Sequence, residues 1–122
     1  MKVYKVVRKS RAKDPDRYLS AIVNKKALVI YKVGEWAVAP QWLRELNLHP
    51  VAFESLASAI SFREFYGGSS YSIFEAETDD WFEPGWTCDS YERISNGEHH
   101  NHWYWPGNTI MCKRLMLLKK VA

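Results

Sequence analysis

The feature that most constrains the fold is a set of short segments in which apolar and polar residues alternate, separated by turn-forming residues. Lys2–Arg8 is the clearest, because its alternation places Val3, Lys5 and Val7 on one face and Val6 on the other. A period of two is typical of a half-buried strand. The first three segments, which we expect to form an antiparallel meander, are Lys2–Arg8, Arg17–Val23 and Ala27–Lys32.

One segment, Ser55–Tyr66, has the period of a helix instead. Ser55 is a favourable N-cap, and Gly67-Gly68 supplies residues that adopt the left-handed conformation at a helix end. The apolar residues spaced three and four apart are Leu56, Ala59 and Ile60, and Phe62 and Phe65 widen their face. We therefore predict one main helix over about 55–66.

The remaining segments are shorter. Gln41–Leu46 is predicted as a single helical turn, and Pro50–Phe53 and Tyr71–Glu77 are predicted as strands. Residues 109–121 fit both a helix and a strand interrupted at Arg114. We favour the strand, because no helix cap precedes the segment.

These segments predict an α+β fold in a single domain, 1–122: a twisted, mainly antiparallel sheet of five to six strands with one main helix (about 55–66). A chain of 122 residues is too short to fill a second core. Between the last two predicted strands lies a long aromatic-rich excursion (about 78–108), which we expect to leave the sheet and return. Long irregular segments of this kind are usually functional or mobile.

The composition excludes several classes of protein. No apolar run is long enough for a membrane-spanning helix, and the N-terminus lacks the pattern of a secretory signal, so we expect a cytoplasmic protein with no membrane partner. In that compartment Cys88 and Cys112 are expected to be reduced, although a bridge between them stays open.

Aromatic residues are concentrated in the excursion, which also contains the turn-forming pairs Pro84-Gly85 and Pro106-Gly107. Residues 81–86 and 103–107 are therefore predicted to form the two arms of a protruding hairpin. Three interpretations stay open: a small secondary core, a protein-binding surface, and a site for a nucleotide or a sugar. The candidate partner-binding residues are Trp81, Phe82, Trp86, Tyr91, Trp103, Tyr104 and Trp105.

The same excursion contains histidines that invite a zinc interpretation. Cys88, His99, His100, His102 and Cys112 nevertheless lack the paired spacing of structural zinc sites. A solvated polar loop tip explains the histidines, and we predict no metal and no cofactor.

Charge is unevenly distributed along the chain. The first 26 residues contain nine lysines and arginines but only two acids, whereas residues 54–98 contain ten acids and two arginines. If the first and last strands are neighbours, their cations form a basic face for a phosphate or an acidic partner. The alternative is that these residues only keep edge strands soluble. The candidate residues are Lys2, Lys5, Arg8, Lys113 and Arg114.

No nucleotide-binding, hydrolase or metalloprotease motif is present. Glu75 and Glu77 share one face of a predicted strand, as paired catalytic carboxylates can, but such residues are usually the solvated side of the strand. We therefore predict a chain without enzymatic activity.

Three motifs carry a resemblance to short phage and prophage domains. They are Gly34-Glu35-Trp36 followed by Pro40, Phe53-Glu54-Ser55-Leu56 with Ala59, and Trp105-Pro106-Gly107-Asn108-Thr109. The resemblance implies a small protein that occupies the surface of a host molecule. The strand order also resembles mono-ADP-ribosyltransferases, which implies Arg8 as the NAD-binding residue and Glu75 or Glu77 as the catalytic one. That family's Ser-Thr-Ser strand is missing here.

The functional hypothesis is thus a small non-catalytic binding module that binds and blocks a host protein through its aromatic loop. The alternative is a binder of a nucleotide or nucleic acid through the basic face, and a further alternative is an ADP-ribosyltransferase-like enzyme. The expected partner is a host protein or protein complex. An exposed strand edge also allows a homodimer.

Overall fold

The structure, a computed structural model, describes residues 1–10, 16–21, 28–66, 68–84, 87–89, 102–104 and 108–122. Within these residues nine strands form one antiparallel sheet, and two more form a separate hairpin. The strands of the sheet are β1 (Lys2–Lys9), β2 (Arg17–Ser20), β3 (Ile30–Lys32), β4 (Trp36–Ala37), β5 (Val51–Phe53), β6 (Tyr71–Glu77), β7 (Trp81–Phe82), β10 (Thr109–Cys112) and β11 (Leu115–Lys120). The hairpin strands are β8 (Thr87–Asp89) and β9 (His102–Tyr104), and the helices are α1 (Gln41–Glu45) and α2 (Leu56–Tyr66).

The sheet is larger than the sequence predicts. Instead of a balanced α+β fold with five to six strands, the chain forms a mostly antiparallel nine-stranded sheet, curled into a half-barrel, with one main helix. The additional strands are very short: Trp36–Ala37 and Trp81–Phe82 have two residues each. Two residues cannot display an alternation of period two, so such strands leave no pattern in the sequence.

The predicted meander at the N-terminus is confirmed, since β1, β2 and β3 pair antiparallel in chain order. β1 lies at the centre of the sheet and pairs with β6 along its whole length. On its other edge it pairs first with β5 at Tyr4 and then with β2 from Val7 to Lys9. This division of one edge between two partners allows the sheet to curl.

The two faces of the sheet contact different apolar clusters. Val3 and Val7 of β1 belong to the inner cluster, inside the curl, and Val6 belongs to the outer cluster under α2, as the alternation predicts. The largest fully buried side chains of the inner cluster are Tyr31, Leu43, Ile110, Leu115 and Leu117.

Helix α2 begins where the sequence predicts it. Ser55 is the N-cap, and its Oγ accepts a hydrogen bond from the Ser58 amide at 3.1 Å. Ala59 is buried against the outer cluster, with Leu56, Ile60 and Phe62 beside it. The prediction for Phe65 is wrong: its side chain is 80 % exposed, because it lies on the helix face turned away from the sheet.

The segment 109–121 is extended, as predicted, but it forms two strands with a turn at Lys113-Arg114 between them. β10 pairs with β5 and β7, whereas β11 pairs with β4 and β6. The excursion does not leave the sheet entirely, because its first residues form β7 and rejoin β10. No described helix has the length and apolarity needed to cross a membrane.

Candidate partner-binding site

The turn between β10 and β11 is a corner that brings the two end strands of the sheet close to each other. β7 pairs with the strand that enters the corner, and β4 pairs with the strand that leaves it. The corner is fixed from beneath by Thr78, which is fully buried. Its hydroxyl is within hydrogen-bond distance of the carbonyls of Arg114 (2.8 Å) and Asp80 (3.2 Å), and the Lys113 amide donates to the Asp80 carbonyl at 2.8 Å.

Arg114 is held between an aromatic ring and a carboxylate. Its guanidinium lies 4.0 Å from the centroid of the Trp36 ring and donates two hydrogen bonds to Asp79, one of them from Nε to Oδ1 at 2.7 Å. These hydrogen bonds lower the pKa of the Asp79 carboxyl and raise that of Arg114, so both groups keep their charge. A bidentate pair with a stacked ring fixes the planar guanidinium in one orientation.

The edge strand β7 contributes two more aromatic residues to the corner, Trp81 and Phe82. Trp81 is 42 % exposed, and Trp36 of β4 is 39 % exposed, although tryptophan is usually mostly buried. The Lys113 ammonium lies 6.0 Å from the Phe82 ring centroid. The His49 ring meets Phe82 edge-on, with 5.9 Å between ring centroids.

His49 supports Phe82 from the protein side. Its side chain is buried, and its Nε2 lies 3.0 Å from Asn47 Oδ1. Burial first, and then the positive charge of Lys113, lower the pKa of this imidazole. His49 is therefore a neutral packing partner at neutral pH. We call the residues at this corner the corner patch: Trp36, Asp79, Trp81, Phe82, Lys113 and Arg114. Trp81 and Phe82 are successive residues of β7 and therefore lie on opposite faces of the strand.

The hairpin of the excursion differs from the predicted one. Its first arm is 87–89 rather than 81–86, because Trp81 and Phe82 pair with β10. The second arm, 102–104, contains Trp103 and Tyr104, with Trp103 opposite Cys88 in the register. The predicted partner-binding residues Trp86, Tyr91 and Trp105 lie outside the described residues, as do His99 and His100.

The residues predicted for a basic face do not form one surface. Lys2 makes a 2.8 Å ion pair with Glu75, which raises the lysine pKa and lowers the carboxyl pKa. Arg8 lies six residues further along β1 and donates from Nε to the Ser20 carbonyl at 3.0 Å. Only Lys113 and Arg114 of this set share a location, which is the corner patch.

Lys5 is not at the surface at all, because its side chain is on the inner face with Val3 and Val7 and is only 6 % exposed. Its ammonium donates to the Val51 carbonyl at 2.6 Å and lies 5.6 Å from the Tyr31 ring centroid. Burial lowers the pKa of Lys5 to about 8, and burial also raises the pKa of the free Cys112 thiol to about 11.

The residues implied by the ADP-ribosyltransferase resemblance lie apart. Glu75 is opposite Tyr4 of β1, so Arg8 is four residues away, or about 13 Å along the strand. The Glu75 carboxylate is held by Lys2 and, at 3.8 Å, by Lys119. Within the described parts of the chain no group of three histidines, cysteines or acids could hold a metal ion.

Two residues of the corner patch were missed by the sequence analysis as site residues. Trp36 was named only in a motif of the phage-type resemblance, and Asp79 was counted only as one of the ten acids in residues 54–98. Their roles depend on contacts with Arg114, which is 35 residues beyond Asp79 in the chain. An Asp-Asp pair directly before the exposed Trp81 was the available signal.

Comparisons with protein-family models, curated proteins and solved structures find no match to this chain. The resemblance to phage-type domains therefore stays a prediction.

Proposed function

We propose that this chain is a non-catalytic binding module that captures a partner protein through the corner patch and the aromatic hairpin that follows β7 in the chain. The observation that carries the proposal is the exposed Arg114 guanidinium, fixed between Trp36 and Asp79 at the corner where exposed Trp81 pairs with Cys112. By the resemblance to phage-type domains, the partner is a host protein whose surface the module occupies and blocks.

The chemistry of the patch supports a protein partner. Tryptophan and arginine are the residue types most enriched among binding hot spots, and here exposed Trp36 and exposed Arg114 are in contact. The hydrogen bonds and ring contacts that fix Arg114 and Phe82 reduce the ordering cost of binding, because little side-chain freedom remains to be lost. The aromatic and cationic side chains of the corner patch are therefore preorganised for binding a partner protein.

The local charge favours a protein over a phosphate at this place. The two cations of the corner, Lys113 and Arg114, are accompanied by the carboxylates of Asp79 and Asp80. A corner that is neutral in sum exerts little long-range attraction on a polyanion. It suits instead a mixed apolar and polar protein surface, which is the usual composition of interfaces.

The proposal is tested by affinity capture from a lysate of the native host after nuclease treatment. Trp36→Ala/Trp81→Ala should lose the captured protein while the variant stays folded, as its circular dichroism spectrum and cooperative thermal unfolding check, since neither side chain belongs to the buried core. Phe65→Ala is the matched control, because it removes a still more exposed aromatic ring on another face. A Trp103→Ala/Trp105→Ala variant tests the contribution of the hairpin.

Equal loss of the captured protein in the Phe65→Ala and Trp36→Ala/Trp81→Ala variants would contradict the proposal, since the effect would then not belong to the patch. So would capture that disappears with nuclease treatment. If the captured species is a second copy of the chain, light scattering of the pure protein will show a dimer that the same double variant dissociates.

A further inference from the structure

A titratable side chain, the imidazole of His49, is buried against the edge strand β7. The residue is 6 % exposed, and its Nε2 lies 3.0 Å from Asn47 Oδ1. Its ring meets the Phe82 ring edge-on, with 5.9 Å between the centroids. Histidine is the residue type whose charge changes near physiological pH, so this contact joins a strand of the sheet to a proton-binding group.

The strand β7 is sensitive to this contact because its backbone pairing is short. It consists of Trp81 and Phe82, which pair antiparallel with β10 at the end of the sheet. Beside this pairing the Lys113 amide donates to the Asp80 carbonyl at 2.8 Å. A strand of two residues has few hydrogen bonds to lose, so its opening costs little free energy and depends on how Phe82 packs on His49.

The charged groups on the elements packed around His49 disfavour its protonation. Lys113, in the turn between β10 and β11, is close to the same aromatic ring, with its ammonium 6.0 Å from the Phe82 centroid. Arg44 of α1 adds a second positive charge, and Asp80, before β7, is the acid that acts in the opposite direction. Burial is the largest cause, and with the two cations it lowers the pKa of His49 below the ordinary 6.5.

We propose that His49 is an acid-sensitive switch for β7: protonation of its imidazole separates it from Phe82 and opens the pairing of β7 with β10. When β7 opens, the imidazole reaches water and binds a proton with its ordinary affinity. The open state therefore binds more protons than the closed state below pH 6.5, so a fall in pH favours opening. The switch is a property of the chain alone, so it goes beyond the proposed protein binding and does not depend on it.

The test is amide hydrogen exchange of the pure protein, measured by NMR between pH 7 and pH 5. The probe is the Lys113 amide, whose hydrogen bond to the Asp80 carbonyl breaks when β7 opens. Its protection factor, which is corrected for the intrinsic pH dependence of exchange, should fall by about tenfold from pH 7 to pH 5. The Ile73 amide of β6, bonded to the Ala122 carbonyl at 2.8 Å, is the reference and should change by less than about twofold.

The variant that separates the imidazole from the rest of the fold is His49→Gln. Glutamine keeps an N–H donor for Asn47 Oδ1 but does not titrate, so the protection factor of the Lys113 amide should stay within about twofold over the same pH range. The matched control is His102→Gln, which removes a histidine of β9 and should keep the fall seen in the wild type.

An equal fall at the Lys113 and Ile73 amides would overturn the proposal, because acid would then destabilise the whole fold. Unchanged protection at Lys113 in the wild type, or a full fall in His49→Gln, would overturn it as well. If His49→Gln does not fold, Lys113→Gln replaces it, since it keeps the backbone amide and removes the nearby ammonium. The pKa of His49 then lies closer to its ordinary value, so the fall should be smaller than in the wild type; an equal fall would contradict the proposal.

Discussion

At Lys5 the alternation of the strand and the charge of the side chain lead to different predictions of where the side chain lies. Its alternation with Val3 and Val7 places it on the inner face, and the structure confirms that placement. Its charge nevertheless suggested a phosphate-binding surface, which is wrong because the ammonium is enclosed by the curl and bonded to Val51. The alternation predicted the position of Lys5 correctly, because the period of two determines the face on which a side chain lies whatever its charge.

Replacing Lys5 by methionine should stabilise the protein at pH 7. A lysine whose pKa falls from 10.5 to about 8 on folding opposes folding by about 3 kcal/mol at neutral pH. Methionine keeps the apolar stem and removes the buried charge, while the Val51 carbonyl loses a donor at a cost of about 1–2 kcal/mol. We expect a net gain of roughly 1–2 kcal/mol in urea unfolding. The exposed Lys120→Met variant is the control and should change little; destabilisation by Lys5→Met would refute this account of the site.

The stability of the wild type should also rise between pH 8 and 9. In this range the folded Lys5 has released its proton and the unfolded one has not, so the unfolded chain binds more protons and stability increases with pH. Above pH 9 Cys112 opposes the rise, because its folded pKa of about 11 exceeds the ordinary 9.0, and the stability it contributes below pH 9 is lost toward pH 11. Urea unfolding at pH 7.5, 8.5 and 9 should show the rise in the wild type and not in Lys5→Met. An identical rise in both would show that another group causes it.

At the scale of elements, the sequence is informative where an element carries its own local pattern. Helix α2 was predictable because its N-cap and its apolar spacing are both local. β4 and β7 were not predictable, since two residues form a strand only when a longer neighbour offers hydrogen bonds. Phe65 shows the limit for α2 as well: the width of an apolar face depends on what covers it.

Removing the N-cap of α2 should have a measurable and local cost. Ser55→Ala loses the acceptor for the Ser58 amide, and such caps contribute about 1 kcal/mol. Ser61→Ala is the matched control, because Ser61 is exposed in the middle of the same helix and alanine has the higher helix propensity. The free energy of unfolding in urea should fall for the first variant and stay equal or rise slightly for the second. Equal changes in both would mean that the hydrogen bond of Ser55 does not stabilise the helix.

At the scale of the whole molecule, the candidate site is a product of topology. β10 and β11 follow each other in sequence but pair with opposite ends of the sheet, and their shared turn therefore brings Trp36 and Trp81 to one corner. Trp81, Phe82, Lys113 and Arg114 were predicted as members of two separate surfaces, and they lie at one corner of the sheet. No local pattern connects residues 36, 79 and 114, so this part of the site could not be derived from the sequence.

The measurement that tests the central claim most directly is site-specific photo-crosslinking in nuclease-treated host lysate. A photoreactive residue replaces Glu83, which is exposed next to Phe82, or Glu64, which is exposed on α2 and serves as the matched position. If the corner patch is the binding surface, a discrete protein adduct forms from position 83, is absent from position 64, and disappears when Trp36→Ala/Trp81→Ala is added. An adduct of equal yield from both positions, or one that forms from position 64 alone, would contradict the assignment of partner binding to the corner patch.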